Sequence, residues 1–449
     1  MANDYANAFV NSFAPAGSDS RHARQALFAA GAYIALLLLI FVGLDAFSPP
    51  PLVAQFGGVP AASKGDVLRQ ISYLGVGLLV GLAAVQRLGI GALRAVPPVM
   101  ALVLIWCLAS ALWAPEPNVV IRRAGLEVVI VVSLLLGTMA VGGRTAFRWW
   151  RWLMALVLLV NFLSIPLIAA ARHLPGEIDP ALVGNWRGLY GHKNIAGAAC
   201  AITAILFLFA RIGWKNIGGI AIAMGAIGFL AMTHSKTSMG FLPVALLAGL
   251  AYRIGWRDGL SRAILCALFL LLAGIGTAVM LLDASTITHA LQDPREFTGR
   301  AAIWAAELRY IADHPFLGSG FGTFADTGGL SPLHDYVVGS NWVDAVSHGH
   351  NGYLQVLVTI GGVGFTLTVL AAIVWPLIHF WPLNRDGDNF RPMLFALFTF
   401  LVLHNIMESD FLEGDAISWA AMLMVIGALG DWHTARPQGA GGKSLTARG

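Results

Sequence analysis

Charge is the scarcest commodity in this chain. Of its 449 residues only 12% are Asp, Glu, Lys or Arg, against 57% that are apolar, whereas a water-soluble domain carries about a quarter charged residues. That balance excludes a large soluble enzyme and points to a polytopic membrane protein. Cysteine is almost missing: Cys107, Cys200 and Cys266 all sit inside apolar runs, so neither a disulfide framework nor a cysteine-rich zinc site is expected. No Walker-type loop points to ATP hydrolysis, and no Asp-x-Asp pair in a soluble domain points to a nucleotide-sugar enzyme with bound magnesium. Glycine, by contrast, is plentiful at 51 residues and follows no collagen-like period, which suits helices that approach closely in a bilayer.

What is present is a series of apolar runs. They are centred in about 26–44, 71–86, 97–113, 124–142, 152–171, 195–210, 217–233, 237–252, 263–282, 353–375, 392–407 and 416–430, each near the length a membrane span needs. The expected fold is therefore all-α, a polytopic integral membrane protein of about twelve transmembrane helices. The first run is too long for the core of a signal peptide and leads into Ser48-Pro49-Pro50-Pro51, so it is read as a retained span. The corresponding division is a tail over 1–25, nine spans over 26–282, a large loop over 283–351, three spans over 352–430 and a tail over 431–449.

Basic residues divide unevenly between the two alternating sets of connections. Seventeen of the 28 lie in the set that contains both termini, and 18 of the 24 acids lie in the other. Retained Lys and Arg favour the cytoplasm, so both termini are expected there and the large loop outside it. The net charge of +4 averages two opposed faces and gives no reason to expect nucleic acid as a partner; the basic face suits membrane lipid. Trp149, Trp150 and Trp152 are expected to form an aromatic belt at the cytoplasmic interface.

Within the large loop, Thr298 can cap a helix that runs to about Asp313, with Pro315, Gly318, Gly320 and Gly322 ending it. At helical spacing Arg300, Trp304, Glu307 and Ile311 share one face and Arg309 points away. Three further segments on the same outer side concentrate polar groups beside spans: Trp186 to Asn194, Ser347 to Gln355, and His404 to Asp410. Ionisable groups next to apolar helices are costly, and so are functional candidates by default.

The order of these motifs resembles the O-antigen ligase and O-antigen polymerase superfamily of bacterial envelope glycan transferases. His350-Asn351 followed by Gly361 and Gly364 is the strongest element. Gly299-Arg300 with Trp304, Pro315 and Gly318-Ser319-Gly320 supports it, as do Trp113-Ala114-Pro115 and Arg122-Arg123. The resemblance implies transfer of a glycan from an undecaprenyl diphosphate carrier to an acceptor sugar hydroxyl at the periplasmic face of the inner membrane. It implies no metal and no cofactor. The implied partners are the lipid-linked donor, a glycan or lipid A core acceptor, and other polysaccharide assembly proteins.

Read against that chemistry, Arg300 and Arg187, with Lys193 as a third cation, suit a diphosphate leaving group, because guanidinium stays charged and binds phosphate in a fork. His350 suits the base that takes the acceptor proton. Asn351 would orient the imidazole or the sugar, and Glu408 would steady a cation or bind acceptor hydroxyls. The structural alternatives are that Arg187 anchors at the interface, Arg300 pairs with Glu307, His350 and Asn351 cap the tenth span, and Glu408 with His404 makes only an interhelical contact. A metal site from His348, His350 and either Asp344 or His334 lacks helical ligand spacing. The elements Gly-x-x-x-His192-Lys193-Asn194 and His404-Asn405 to Glu408-Ser409 favour an exopolysaccharide polymerase over a ligase acting on lipid A core. A twelve-span transporter or flippase and a peptidoglycan polymerase are the remaining rivals.

Overall fold

The computed structural model describes residues 20–48, 66–177, 180–210, 217–267, 300–325, 327, 330–337, 349–383 and 388–434. Among them the chain is helical, and the one extended pairing is an isolated antiparallel bridge between Arg172 and Trp186. The helices are α1 (Ser20–Phe41), α2 (Val67–Leu88), α3 (Pro98–Ala109), α4 (Pro117–Val141), α5 (Gly143–Leu167), α6 (Lys193–Leu208), α7 (Ile217–Thr233) and α8 (Lys236–Gly255). They continue with α9 (Arg300–Asp313), α10 (Leu333–Tyr336), α11 (Gly352–Val369), α12 (Trp375–Phe380), α13 (Phe390–His404) and α14 (Ile417–Thr434).

Six of the helical segments are long and apolar enough to cross a membrane, and five shorter apolar ones lie among them. These fall on eleven of the twelve runs expected from hydropathy. The ninth, 263–282, lies outside the described residues beyond 267, as do Thr298 and the tail from Ala435. Helix ends differ from the apolar runs because backbone chemistry sets them. Pro98 and Pro117 open α3 and α4, where a missing N–H costs nothing. Gly142, at φ 85°, separates α4 from α5, a conformation that a side chain would resist.

The core is built around α14, whose described side chains are almost all buried, from Ser418 to Leu429. A helix apolar on every side must be surrounded, and α14 touches α1, α4, α5, α6, α12 and α13. On α2, Leu68, Ile71, Leu74, Leu78, Leu79, Leu82 and Val85 are exposed, an outward stripe that lipid would cover. Trp150 corrects the expected aromatic belt: it is fully buried, its ring 5.3 Å from that of Phe41. Trp152, two residues on, is exposed and can serve such a belt.

One helix is broken, and the break organises the site. Gly361 within α11 has φ 65° and ψ −174°, which interrupts the helical ladder. The segment after α9 fills the gap: Ser319 N donates to Val358 O at 2.9 Å, Gly320 N to Thr359 O at 2.8 Å, and Gly362 N to Pro315 O at 2.8 Å. Trp106 Nε1 donates to Ile360 O at 3.0 Å and Trp113 Nε1 to Leu317 O at 3.2 Å. A Cβ on Gly318 would come within 2.7 Å of the Thr359 carbonyl. The glycines are therefore required by backbone packing on backbone, and the exchange satisfies groups that an unwound helix would leave bare.

Candidate functional site

Two segments distant in sequence are stitched together at one end of the bundle. Gly352 N donates to Asn405 O at 2.8 Å and to Glu408 O at 2.9 Å, and Asn351 N donates to Ser409 Oγ at 3.0 Å. Asn351 Oδ1 accepts from Tyr353 N and Leu354 N, so Asn351 is the N-cap of α11. The residue before it, His350, sits at φ 53°, a left-handed conformation that costs a non-glycine residue roughly 1–2 kcal/mol. That geometry carries its imidazole to Glu408, with Nδ1 3.3 Å from Oε2.

Glu408 is the hub. Its Oε1 accepts from Arg300 Nη2 at 3.1 Å and from Asn194 Nδ2 at 2.7 Å. Arg300 Nη1 also donates to the Met407 carbonyl. Burial opposes ionisation of Glu408, yet the bond from His350 and the charge of Arg300 outweigh it and hold the carboxyl at about 2. The site therefore keeps a buried carboxylate between a guanidinium and an imidazole. Arg300 pairs with Glu408 and not with Glu307, the structural partner its helix face suggested. Glu307 is fully buried, neither of its oxygens has a hydrogen-bond partner among the described residues, and burial raises it to about 8. It packs against Gly349, whose carbonyl accepts from Trp304 Nε1 at 2.7 Å.

The start of α6 is held by a second polar chain. His173 Nδ1 lies 2.5 Å from Glu177 Oε2, and Lys193 N donates to His173 Nε2 at 3.1 Å. An accepting Nε2 places the His173 proton on Nδ1, facing the carboxylate. His192 Nδ1 accepts from Asn194 N at 3.2 Å; burial and the neighbouring His173 push its pKa down to about 3, so it is a neutral cap. Lys193 Nζ donates to the His234 carbonyl at 3.2 Å.

Arg187 makes its contacts elsewhere. Its side chain is fully buried, and Nη1 is shared among the carbonyls of Ser48, Tyr190 and Gly191 at 3.0–3.1 Å. Of the six expected site residues, the structure thus gathers Arg300, His350 and Glu408 directly, with Asn351 as their cap and Lys193 one position from Asn194. It seats Arg187 beneath the 187–191 turn. Glu408 and His404 touch through the backbone, Glu408 N donating to His404 O at 3.0 Å, while the His404 side chain turns to Asp410, its Nδ1 2.6 Å from Oδ2.

Sequence reasoning passed over Asn194, His173 and Glu177. Asn194 was visible only as the third residue of a polar run, because a neutral amide carries no charge signature. The rejected metal set is only partly placed, since Asp344 and His348 lie outside the described residues.

No curated protein matches the chain. Residues 219–369 match the family model described as O-antigen ligase, a stretch that contains Arg300, His350, Asn351 and the Gly361 break but not Arg187, Lys193 or Glu408. The match supports the resemblance read from the motifs: over residues 219–369 this chain of apolar, membrane-length helices is similar to the O-antigen ligase family, whose members are glycosyltransferase-like enzymes.

Proposed function

We propose that this chain moves a glycan from an undecaprenyl diphosphate carrier to an acceptor sugar hydroxyl at the periplasmic face of a bacterial inner membrane, without a metal. The observation that carries the reading is the single carboxylate of Glu408, bound at once by Arg300 and His350. With the His350 proton on Nδ1 toward Glu408, Nε2 carries the lone pair that takes the acceptor proton. The acceptor oxygen then forms its bond to the sugar anomeric carbon as the bond to the phosphate oxygen breaks. The departing lipid diphosphate keeps that electron pair.

Arg300 meets the charge that develops there. Its bonds to Glu408 and Met407 leave N–H donors for phosphate among the described contacts. Lys193, on the adjacent α6 terminus, is the second cation. Arg187 supports the turn that presents Lys193 and Asn194, and direct contact with diphosphate would require that turn to open. Asn351 places His350.

Polymerisation of a repeat unit is favoured over ligation to lipid A core because the 188–194 and 404–409 segments resemble those of exopolysaccharide polymerases. The test is purified protein incubated with an undecaprenyl diphosphate oligosaccharide, with and without lipid A core, followed by product sizing. A ladder of repeats without core supports the polymerase; a single addition that needs core supports the ligase; no transfer in either arm overturns the reading.

A further inference from the structure

A cavity of about 390 Å³ lies behind the His350 turn, between α2, α4, α11, the segment after α9 and the 411–414 loop. Its size is at the lower end of the range for small-ligand pockets, about 300–1,000 Å³. Arg69, Arg123, Glu127, Gln355 and Glu413 line it, with Phe411. Two guanidinium groups thus face two carboxyl groups, so the cavity has no field of one sign. An anion would meet the acids and a cation the arginines, while an apolar guest would leave Glu413 and Gln355 unanswered. A hydroxylated, uncharged ring can donate to the carboxyls and accept from the guanidiniums, because each hydroxyl does both, and Phe411 offers an apolar face.

Two of these side chains hold open capacity. No hydrogen bond to the Glu413 carboxyl or to the Gln355 Nε2 group occurs among the described residues. The other side chains are engaged: Glu127 accepts from Gly414 N and Trp419 Nε1, and Arg69 pairs with Asp415. Glu413 is exposed to solvent on this lining, so its carboxyl is open to a hydroxyl.

The cavity is joined to the site by two routes. Arg69 and Glu413 also line a neighbouring cavity of about 450 Å³ that reaches Glu408 and Asn194. Gln355 Oε1 accepts from Gly349 N at 3.3 Å, one residue from His350, whereas Arg300 is not part of the lining. The geometry points to a subsite for one uncharged sugar ring of the acceptor glycan, read by Glu413 and Gln355, on the side of the base and away from the diphosphate. This assignment rests on the transfer reaction proposed above and names its acceptor side.

The test uses the purified full chain, a lipid-linked donor, and a lipid-free oligosaccharide of the host's own repeat labelled at its reducing end; a core oligosaccharide forms a parallel arm. Glu413→Leu and Gln355→Leu are expected to raise the acceptor KM about ten-fold each, the loss of a hydrogen bond to a charged or amide group, with donor KM unmoved. Glu413→Gln, nearly isosteric, covers the case in which the leucine variant does not fold, and should raise the same KM by less. Unchanged acceptor KM in the folded variants, as expected of a cavity that only holds water, overturns the subsite. If the parental protein transfers to neither acceptor, the reaction itself fails; fluorescence polarisation with the same labelled oligosaccharide still decides the subsite, since weaker binding by the variants supports it and equal binding overturns it.

Discussion

Arg300 and Glu408 are 108 positions apart in the chain and 3.1 Å apart in space, with only 12% and 9% of their side chains exposed. An ion pair this enclosed costs desolvation on both sides, and breaking it from one side leaves an uncompensated charge, typically a loss of about 3–5 kcal/mol. Glu408→Gln should therefore lower the melting temperature of the purified protein and, because His350 loses its partner, abolish most transfer. The pH dependence has a definite sign. A carboxyl held at about 2 in place of 4.5 stabilises the fold above its unfolded value, and that contribution fades as pH falls toward 2. The stability gap between parent and variant should narrow on acidification through this window; a gap that stays constant would contradict the assignment.

The two arginines should respond differently to the same conservative change. Arg300→Lys keeps the charge but loses the fork, and is expected to cut product formation on the order of a hundred-fold at normal protein level. Arg187→Lys removes a guanidinium that ties Ser48, Tyr190 and Gly191 together. Carbonyls stripped of a buried donor cost about 1–3 kcal/mol each, so this variant should melt lower. Transfer assays and thermal melts on both proteins separate the roles: a fully stable Arg187→Lys variant without activity would return Arg187 to the diphosphate.

Much of this site was legible in the sequence as motif and little of it as geometry. Gly299-Arg300, Gly318-Ser319-Gly320, Trp113 and His350-Asn351 could all be picked out, yet the reason for them could not. Periodicity reads α11 as one apolar run, whereas the break at Gly361 exists to receive the 315–320 backbone, and backbone-to-backbone closure leaves no period in either partner. Arg187 shows the limit on charged residues: an Arg before Gly at a span boundary has the same local signature whether it faces a headgroup or three carbonyls. Asn194 was missed because its value comes wholly from Glu408, more than two hundred residues away.

Orientation rests on the charge asymmetry of the connections. Reporters fused after Leu330 and after Asp386 should read periplasm and cytoplasm respectively, as basic retention requires. Exchange of the two readouts would put the His350 turn on the wrong face of the membrane for a lipid-linked donor displayed outside.

His350 offers the sharpest separation of catalysis from structure, because its backbone is strained. At φ 53° a glycine would relieve the conformational cost of a side chain, on the order of 1–2 kcal/mol, though glycine returns part of that through the entropy of the unfolded chain. His350→Gly loses the bond to Glu408 but sheds the strain, the two offsetting each other, so it should fold about as stably as the parent, with the cap from Asn351 to Tyr353 and Leu354 untouched. A residue needed only to shape the turn would leave such a variant active. A base would leave it folded and slow, by roughly a hundred-fold to ten-thousand-fold. His350→Gln supplies the complementary arm, keeping a polar side chain toward Glu408 without an imidazole to accept the proton. Melting curves and initial transfer rates on the two variants are decisive together: both stable and both inactive assigns the proton to His350, while near-parental transfer by His350→Gln makes it an orienting group and moves the search for the base to Glu408.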